Sequence, residues 1–277
     1  MVDDTKKTAS GNDFLVFINF SKASYNALDY TIKLVKAVGG SIEVHYIINP
    51  EEIADSENHF VAVRSINELR YKARKKLNSI VEMLELENID VMSSYTMGHF
   101  ETELKGMLAK NESKTIVIGN RKSAEYNRTL YTLINQFVGN VLVVNDDAGY
   151  QGETKIAIGM NIQNYQQSGI SLISNLSHST KMPIVILNSQ NGTDSPDKAE
   201  SLPMFEKGLE IYMYNLEEHD NVLEKMLEYA EENNVEILCV GRKKTADSLI
   251  DRVLRKPPAI SKIIRNSKTP LLIIGNN

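Results

Sequence analysis

Apolar and polar positions along the 277-residue chain switch between two periods, and the switches come in a regular order. Residues 14–18 form a short apolar run, the pattern of a strand covered on both faces. After Asn19-Phe20-Ser21, the positions Ala27, Thr31, Leu34 and Val38 recur at helical spacing, with Ser21 or Ser24 available as N-cap. Gly39-Gly40 ends that helix. Residues 42–48 predict a second strand, and 49–64 a polar, irregular stretch. Ser65-Ile66-Asn67-Glu68 has capping-box spacing and predicts the start of a long helix with Leu69, Ala73, Leu77, Ile80 and Leu84 on one face. A strand over 91–97, a helix marked by Phe100, Leu104 and Leu108, a strand over 115–119, a helix over 129–137 and a strand over 141–144 complete one cycle.

The stretch Asp146-Asp147-Ala148-Gly149-Tyr150-Gln151-Gly152 reads as a linker, after which the cycle restarts. It predicts strands over 156–160, 183–187, 211–214, 236–240 and 271–274, and helices over 165–179, around Leu223 to Ala230, and over 258–265. Residues 189–203 read as a loop. The halves agree most clearly near their ends, where Ile116-Val117-Ile118-Gly119-Asn120-Arg121-Lys122 parallels Ile237-Leu238-Cys239-Val240-Gly241-Arg242-Lys243. The second copy is shorter between its second and third strands, so its second helix is expected to be short or missing. The pattern predicts an α/β fold of two tandem Rossmann-like or flavodoxin-like domains with mainly parallel five-stranded sheets, the second reduced. Their bounds are set at 13–147 and 153–277, behind a disordered leader over 1–12. The last strands, 141–144 and 271–274, are expected to pair antiparallel and join the halves as an internal pseudo-dimer.

Composition narrows the function classes. Apolar residues make up 42% and charged residues 24%, as in soluble globular chains. The net charge of −5 is spread along the chain, so no basic footprint for nucleic acid is expected. No apolar run approaches the ~20 residues of a membrane span, and the first twelve residues carry no secretory apolar region. The single cysteine, Cys239, excludes an internal disulfide and fits a reducing, cytoplasmic setting.

Candidate chemistry is sparse. Arg121-Lys122 and Arg242-Lys243-Lys244 follow strands at the end where open α/β sheets bind ligands, and Arg128 lies near a helix start in the first half. They read first as solvated loop charge and second as cations replacing backbone contacts to phosphate. None of His45, His59, His99, His178 and His219 has metal-ligand spacing. His45 reads as a structural strand residue, His99 as a capping or exposed residue, and Cys239 as a buried apolar one. No nucleophile elbow, Walker loop or dinucleotide fingerprint is present.

The order of elements resembles universal stress proteins of the tandem, two-domain type over about residues 13–277. The resemblance is carried by Phe17-Ile18-Asn19-Phe20-Ser21 with Asn26-Ala27-Leu28, by Met97-Gly98 before a helix, and by strands ending in Gly119 and Gly241. It is carried most by the helix, turn and final strand of residues 260–274. It implies a pseudo-dimer within one chain and places a candidate ligand site at Asn19, Gly98, Gly119, Arg121, Lys122 and Arg128. The second-half counterparts are Asn161, Gly241, Arg242 and Lys243. ATP-binding members carry Gly-xx-Gly, nine residues and Gly-Ser/Thr after the fourth strand. Here only the first glycine of each motif remains. Lys122 and Lys244 stand for the second glycine; Asn127-Arg128 and Pro257-Pro258 stand for Gly-Ser. Proline has no N–H to offer a phosphate. The family's acidic residue after the first strand is matched by Asn19 and Asn161. ATP binding of the family type is therefore disfavoured in both halves, more strongly in the second, and no cofactor is expected.

Three readings follow. The first is a non-enzymatic stress-response or regulatory protein that binds a protein partner or small ligand. The second is a nucleotide-binding protein with a residual site in the first half. The third, ranked last, is an α/β enzyme with a site between the halves. Neither nucleic acid nor membrane is expected as a partner, and a homodimer of the whole chain stays open.

Overall fold

The computed structural model describes residues 12–49, 59–120, 130, 137–145, 154–159, 165–188, 197–198, 204–216, 222–241, 264 and 267–275. The strands are β1 (Asp13–Phe17), β2 (Ser41–Ile48), β3 (Asp90–Met97), β4 (Thr115–Gly119), β5 (Val141–Val144), β6 (Lys155–Ile158), β7 (Ile184–Asn188), β8 (Asp197–Lys198), β9 (Ile211–Asn215), β10 (Val235–Gly241) and β11 (Leu271–Ile274). The helices described in full are α1 (Lys22–Val38), α2 (His59–Leu86), α3 (Phe100–Lys110), α4 (Gln167–Thr180) and α5 (Val222–Glu232). All eleven strands belong to one sheet of order β3-β2-β1-β4-β5-β11-β10-β6-β7-β9-β8. Apart from the two-residue β8, the order of the second half mirrors that of the first.

Strand β1 shows how the sequence makes this sheet. Its alternate residues serve two cores. Phe14 and Val16 pack into the layer that holds α1, α2 and α4. Leu15 and Phe17 pack into the opposite layer with α3 and α5. A strand apolar at four successive positions, as β1 is from Phe14 to Phe17, is stable only where both faces are covered, and parallel crossovers supply that cover. Helix α1 begins with a capping box in which Ser21 and Ser24 bond each other's backbone, and ends at Gly39, whose N–H donates to Val35 O.

The halves meet where expected. Strands β5 and β11 pair antiparallel, with Leu271 opposite Val143, Leu272 opposite Leu142 and Ile273 opposite Val141. All eight residues of the two strands are buried. Helix α1 packs on α4 across the same boundary, and the Tyr30 hydroxyl donates to Glu236 O over 3.4 Å. Asparagines close the seam at both ends. Gly275 N donates to Asn140 Oδ1, and Asn145 Nδ2 donates to Ser267 O at 2.7 Å and Thr269 O at 3.2 Å.

Three expectations need correction. Helix α2 starts at His59, so Ser65 and Glu68 lie inside it and do not cap it. Nothing between His59 and Arg64 breaks a helix, and Glu68 takes a bond from Arg64 Nε instead of reaching back to Ser65. The strand expected over 156–160 spans Lys155–Ile158, and Gly159 lies beyond it. Within the expected loop 189–203, Asp197 and Lys198 pair antiparallel with Met213 and Tyr212. No described residue between β7 and β9 is helical; most of the segment where the second helix is expected to be short or missing lies outside the described residues. The linker 146–152 and the leader up to residue 11 lie outside the described residues. So do the helices expected over 129–137 and 258–265, except Leu130 and Ile264, which are helical and buried, and Phe137, which is buried and not helical.

The pairing can be tested by a double-mutant cycle. Leu142→Ala and Leu272→Ala should each cost about 2–5 kcal/mol in urea unfolding. Because the two residues face each other, their coupling should be on the order of 0.5–3 kcal/mol. Independent, additive losses would place the two strands apart.

Candidate functional site

In parallel α/β sheets the ligand crevice lies beyond the carboxyl ends of the strands where the chain order reverses. In the first half that point is between β1 and β4, which are direct neighbours. Asn19 follows β1 and Gly119 ends β4, so the fold brings these two candidate residues together. Gly98 follows β3, two strands away from β1, roughly 10 Å at the usual strand spacing. Arg121, Lys122 and Arg128 lie outside the described residues, as do Asn161, Arg242 and Lys243.

The polar groups at the β1–α1 turn are engaged with each other. Asn19 Oδ1 accepts from Ser21 Oγ at 2.6 Å and from Ser21 N at 3.2 Å. Ser24 Oγ accepts from Asn19 N and Ser21 N and donates to Ser21 O. Asn19 thus works as an Asx turn that starts α1. Gly119 is fixed by close approach: a Cβ there would sit 2.1 Å from Ala23 O and 2.4 Å from Ala23 C, inside the backbone of the first turn of α1. At Gly98 a Cβ would meet Glu103 Oε1 at 2.5 Å. A carboxylate therefore folds over the exit of β3, unfavourable ground for a phosphate.

The next residue, Asn120, was not singled out from sequence. It is buried, and its Nδ2 donates to Asn145 Oδ1 at 2.6 Å and to Ile264 O at 2.9 Å. The first residue after β4 thus ties the first half to the second. The available signal was three asparagines, Asn120, Asn140 and Asn145, flanking strands β4 and β5, which apart from Thr115 carry no polar side chain.

In the second half the reversal point lies between β6 and β10. The ring of Tyr165 fills it. A Cβ on Gly241 would meet Tyr165 Cε1 at 2.4 Å, and the phenol donates to Gly159 O at 2.9 Å. Tyr165 is 3% exposed. Burial and the adjacent Cys239 push its phenol pKa above the ordinary range, outweighing a backbone hydrogen bond from Gly241. Cys239 is fully buried, as expected, and burial pushes its thiol up as well, so it stays a neutral, unreactive group.

Sequence reading also missed an aromatic group at the carboxyl ends of β1 and β2. Phe20 takes a left-handed backbone, φ 59°, a conformation costing a non-glycine residue about 1–2 kcal/mol. Its ring lies 4.8 Å from that of Tyr46 and 6.5 Å from that of Tyr25, with Lys76 Nζ 4.5 Å above it. Tyr25 is 43% exposed. A partly open aromatic surface beside a cation can stack a planar group.

His45 is structural, as expected, but within a larger network. It is buried, with Nδ1 2.7 Å from Ser94 Oγ and Nε2 3.2 Å from Thr96 Oγ1. Ser94 Oγ donates to Glu43 Oε1, and Lys114 Nζ to Glu43 Oε2 at 2.6 Å. These bonds assign the neutral tautomer with the proton on Nδ1. Burial lowers the His45 pKa, with Glu43 and Glu103 only partly offsetting it. Burial also pushes the Glu43 carboxyl up, but Lys114, Ser94 and His45 together hold it below its ordinary value. His99 occupies the N-cap position of α3, where its side chain makes no capping bond. Among the described residues no three His, Cys, Asp or Glu side chains converge to hold a metal.

No protein-family model matches the sequence, and a search of curated proteins gives no match. Solved structures do match. A universal stress protein from Archaeoglobus fulgidus superposes with a TM-score of 0.72 at 18% identity, covering 97% of each chain. A functionally unknown protein from Pseudomonas aeruginosa gives 0.57 at 10% identity, over 96% of this chain and 92% of its own. A putative universal stress protein from Pseudomonas aeruginosa gives 0.55 at 11% identity, over 95% and 92%. At these identities the likeness establishes the fold, and it does so over nearly the full length of both partners.

Two outcomes check the geometry. Gly119→Ala should destabilise more than Gly241→Ala, because the first clashes with backbone and the second with a ring that can shift; thermal melts of the two variants decide this. The second concerns pH. His45 has a folded pKa below its unfolded value near 6.5, so its contribution is complete above that value and declines as the pH falls below it. Glu43 adds a further loss as the pH drops below about 4.5. Urea midpoints should therefore fall from about pH 6.5 downward, and His45→Gln should flatten the first part of that fall.

Proposed function

We propose that the protein is a non-enzymatic stress-response or regulatory protein of the universal stress protein type, acting in the cytoplasm by binding a partner or small ligand. One observation carries this reading: the ring of Tyr165 fills the second-half crevice where the fold would otherwise seat a nucleotide. In the first half, Asn19 is spent on starting α1 and Asn120 on joining the halves. Groups that an enzyme of this fold would turn toward substrate are here committed to the structure. The lost glycines and Pro257-Pro258 point the same way. The lone, buried Cys239 fits a reducing compartment, and no described helix is long and apolar enough to cross a membrane.

A second reading keeps a nucleotide or related planar anion in the first half. It is favoured by the partly exposed Phe20, Tyr25 and Tyr46 rings beside Lys76. Arg121, Lys122 and Arg128 follow β4 in sequence and would supply the cations.

Calorimetry with ATP and magnesium separates the two. The first reading predicts no heat at micromolar concentration and no turnover. Micromolar binding weakened by Arg121→Ala with Lys122→Ala would establish the second reading, since charge-assisted contacts are worth on the order of 1.5–3 kcal/mol each. Hydrolysis that scales with protein concentration would overturn the first reading and extend the second to slow turnover.

A further inference from the structure

Helix α2 is too long for the strands it covers. Its 28 residues span about 42 Å, whereas the eight residues of β2 or β3 span about 26 Å. The buried stripe is Ala73, Leu77, Ile80 and Leu84. Between Val63 and Lys72 no residue is buried. Because α2 runs back against the strands it follows, this N-terminal part overhangs their carboxyl ends.

The overhang and the turns next to it carry an unusual surface. From Leu69 to Val81 the helix holds five cations and no acid. Lys76 is occupied by the Phe20 ring. Arg70, Lys72, Arg74 and Lys75 are exposed, and their side chains make no ion pair or hydrogen bond with a described residue, whereas Arg64 is paired with Glu68. Tyr71, 70% exposed, stands among them, with Arg74 and Lys75 one turn away on the same face. Tyrosine and arginine together are the composition of a contact surface; lysines alone would suit solvation.

We propose that this face of α2 docks a short acidic polypeptide segment of a partner protein. The length of the patch selects that chemistry. Arg70 to Lys75 covers less than two helical turns, and Glu82 and Glu85, both exposed, follow on the same helix about two turns later. A duplex laid along the helix would bring phosphates against those carboxylates, and the chain as a whole carries −5. A few acidic side chains in an extended segment or one helix face fit within the cationic stretch and leave Tyr71 to cover their apolar stems. The surface overhangs β2 and β3 and lies to one side of the first-half crevice between β1 and β4, so its test stands whatever the nucleotide measurement gives.

The test uses the full chain and a fluorescent peptide of about eight glutamates, titrated by anisotropy at about 20 mM and about 300 mM salt. The peptide should bind saturably at low salt and weaken at high salt. Arg74→Glu with Lys75→Glu should weaken it about tenfold and Tyr71→Ala about threefold, while Lys105→Glu with Lys207→Glu, exposed cations elsewhere, should stay within about twofold. A short DNA duplex should bind no more tightly than the peptide. Absence of saturable binding, equal losses in the two charge-reversed pairs, indifference to Tyr71→Ala, or tighter binding of the duplex would each overturn the proposal.

Discussion

The antiparallel pairing of β5 with β11 is the constraint on which the rest of this molecule depends. Each strand is four residues long and wholly apolar. Left at the edge of its own half-sheet, either one would offer unpaired backbone groups and apolar side chains to any passing strand. Paired with each other, they turn two five-stranded parallel units into one continuous sheet and bring α1 against α4. The arrangement has the logic of an isologous dimer built within one chain. Covalent linkage also frees the copies to diverge, since a change in one is not repeated in the other.

That freedom shows at the two reversal points. The same glycine-ending strand serves both halves, but Gly119 receives the backbone of α1 and Gly241 receives the ring of Tyr165. Asn120 and Asn145 bridge to Ser267, Thr269 and Ile264, whereas after β11 Gly275 takes the place of Asn145 and has no side chain to make such a bridge. Groups near the ligand edge have become parts of the seam. A site used in this way cannot reorganise around a reacting substrate without loosening the junction of the halves. The outer surface of the helices bears no such cost, and there the unpaired cations of α2 collect.

Much of this architecture was legible in the sequence because short apolar strands buried on both faces leave an unmistakable period. The bounds of β4, β5 and β11 follow from the sequence to the residue, and the β5–β11 pairing follows from their equivalent places in the two cycles. What escaped was set by tertiary contact. The true start of α2 was hidden because Ser65 and Glu68 imitate a cap that the helix does not use. The site was less legible than the fold. Asn19 could be placed after β1, but the engagement of its carbonyl by Ser21 depends on the turn. Tyr165 read as an ordinary helix-start residue, since only the packed structure brings it to Gly241, far away in sequence.

Hydrogen–deuterium exchange of the backbone amides in residues 141–143 and 271–273 tests the junction most directly. If the two half-sheets are joined as described, these amides exchange only with global unfolding, together, and as slowly as those of the central strand β1. Exchange as fast as in the edge strand β3, or at different rates in the two strands, would mean that the halves are not joined through them and would contradict the account.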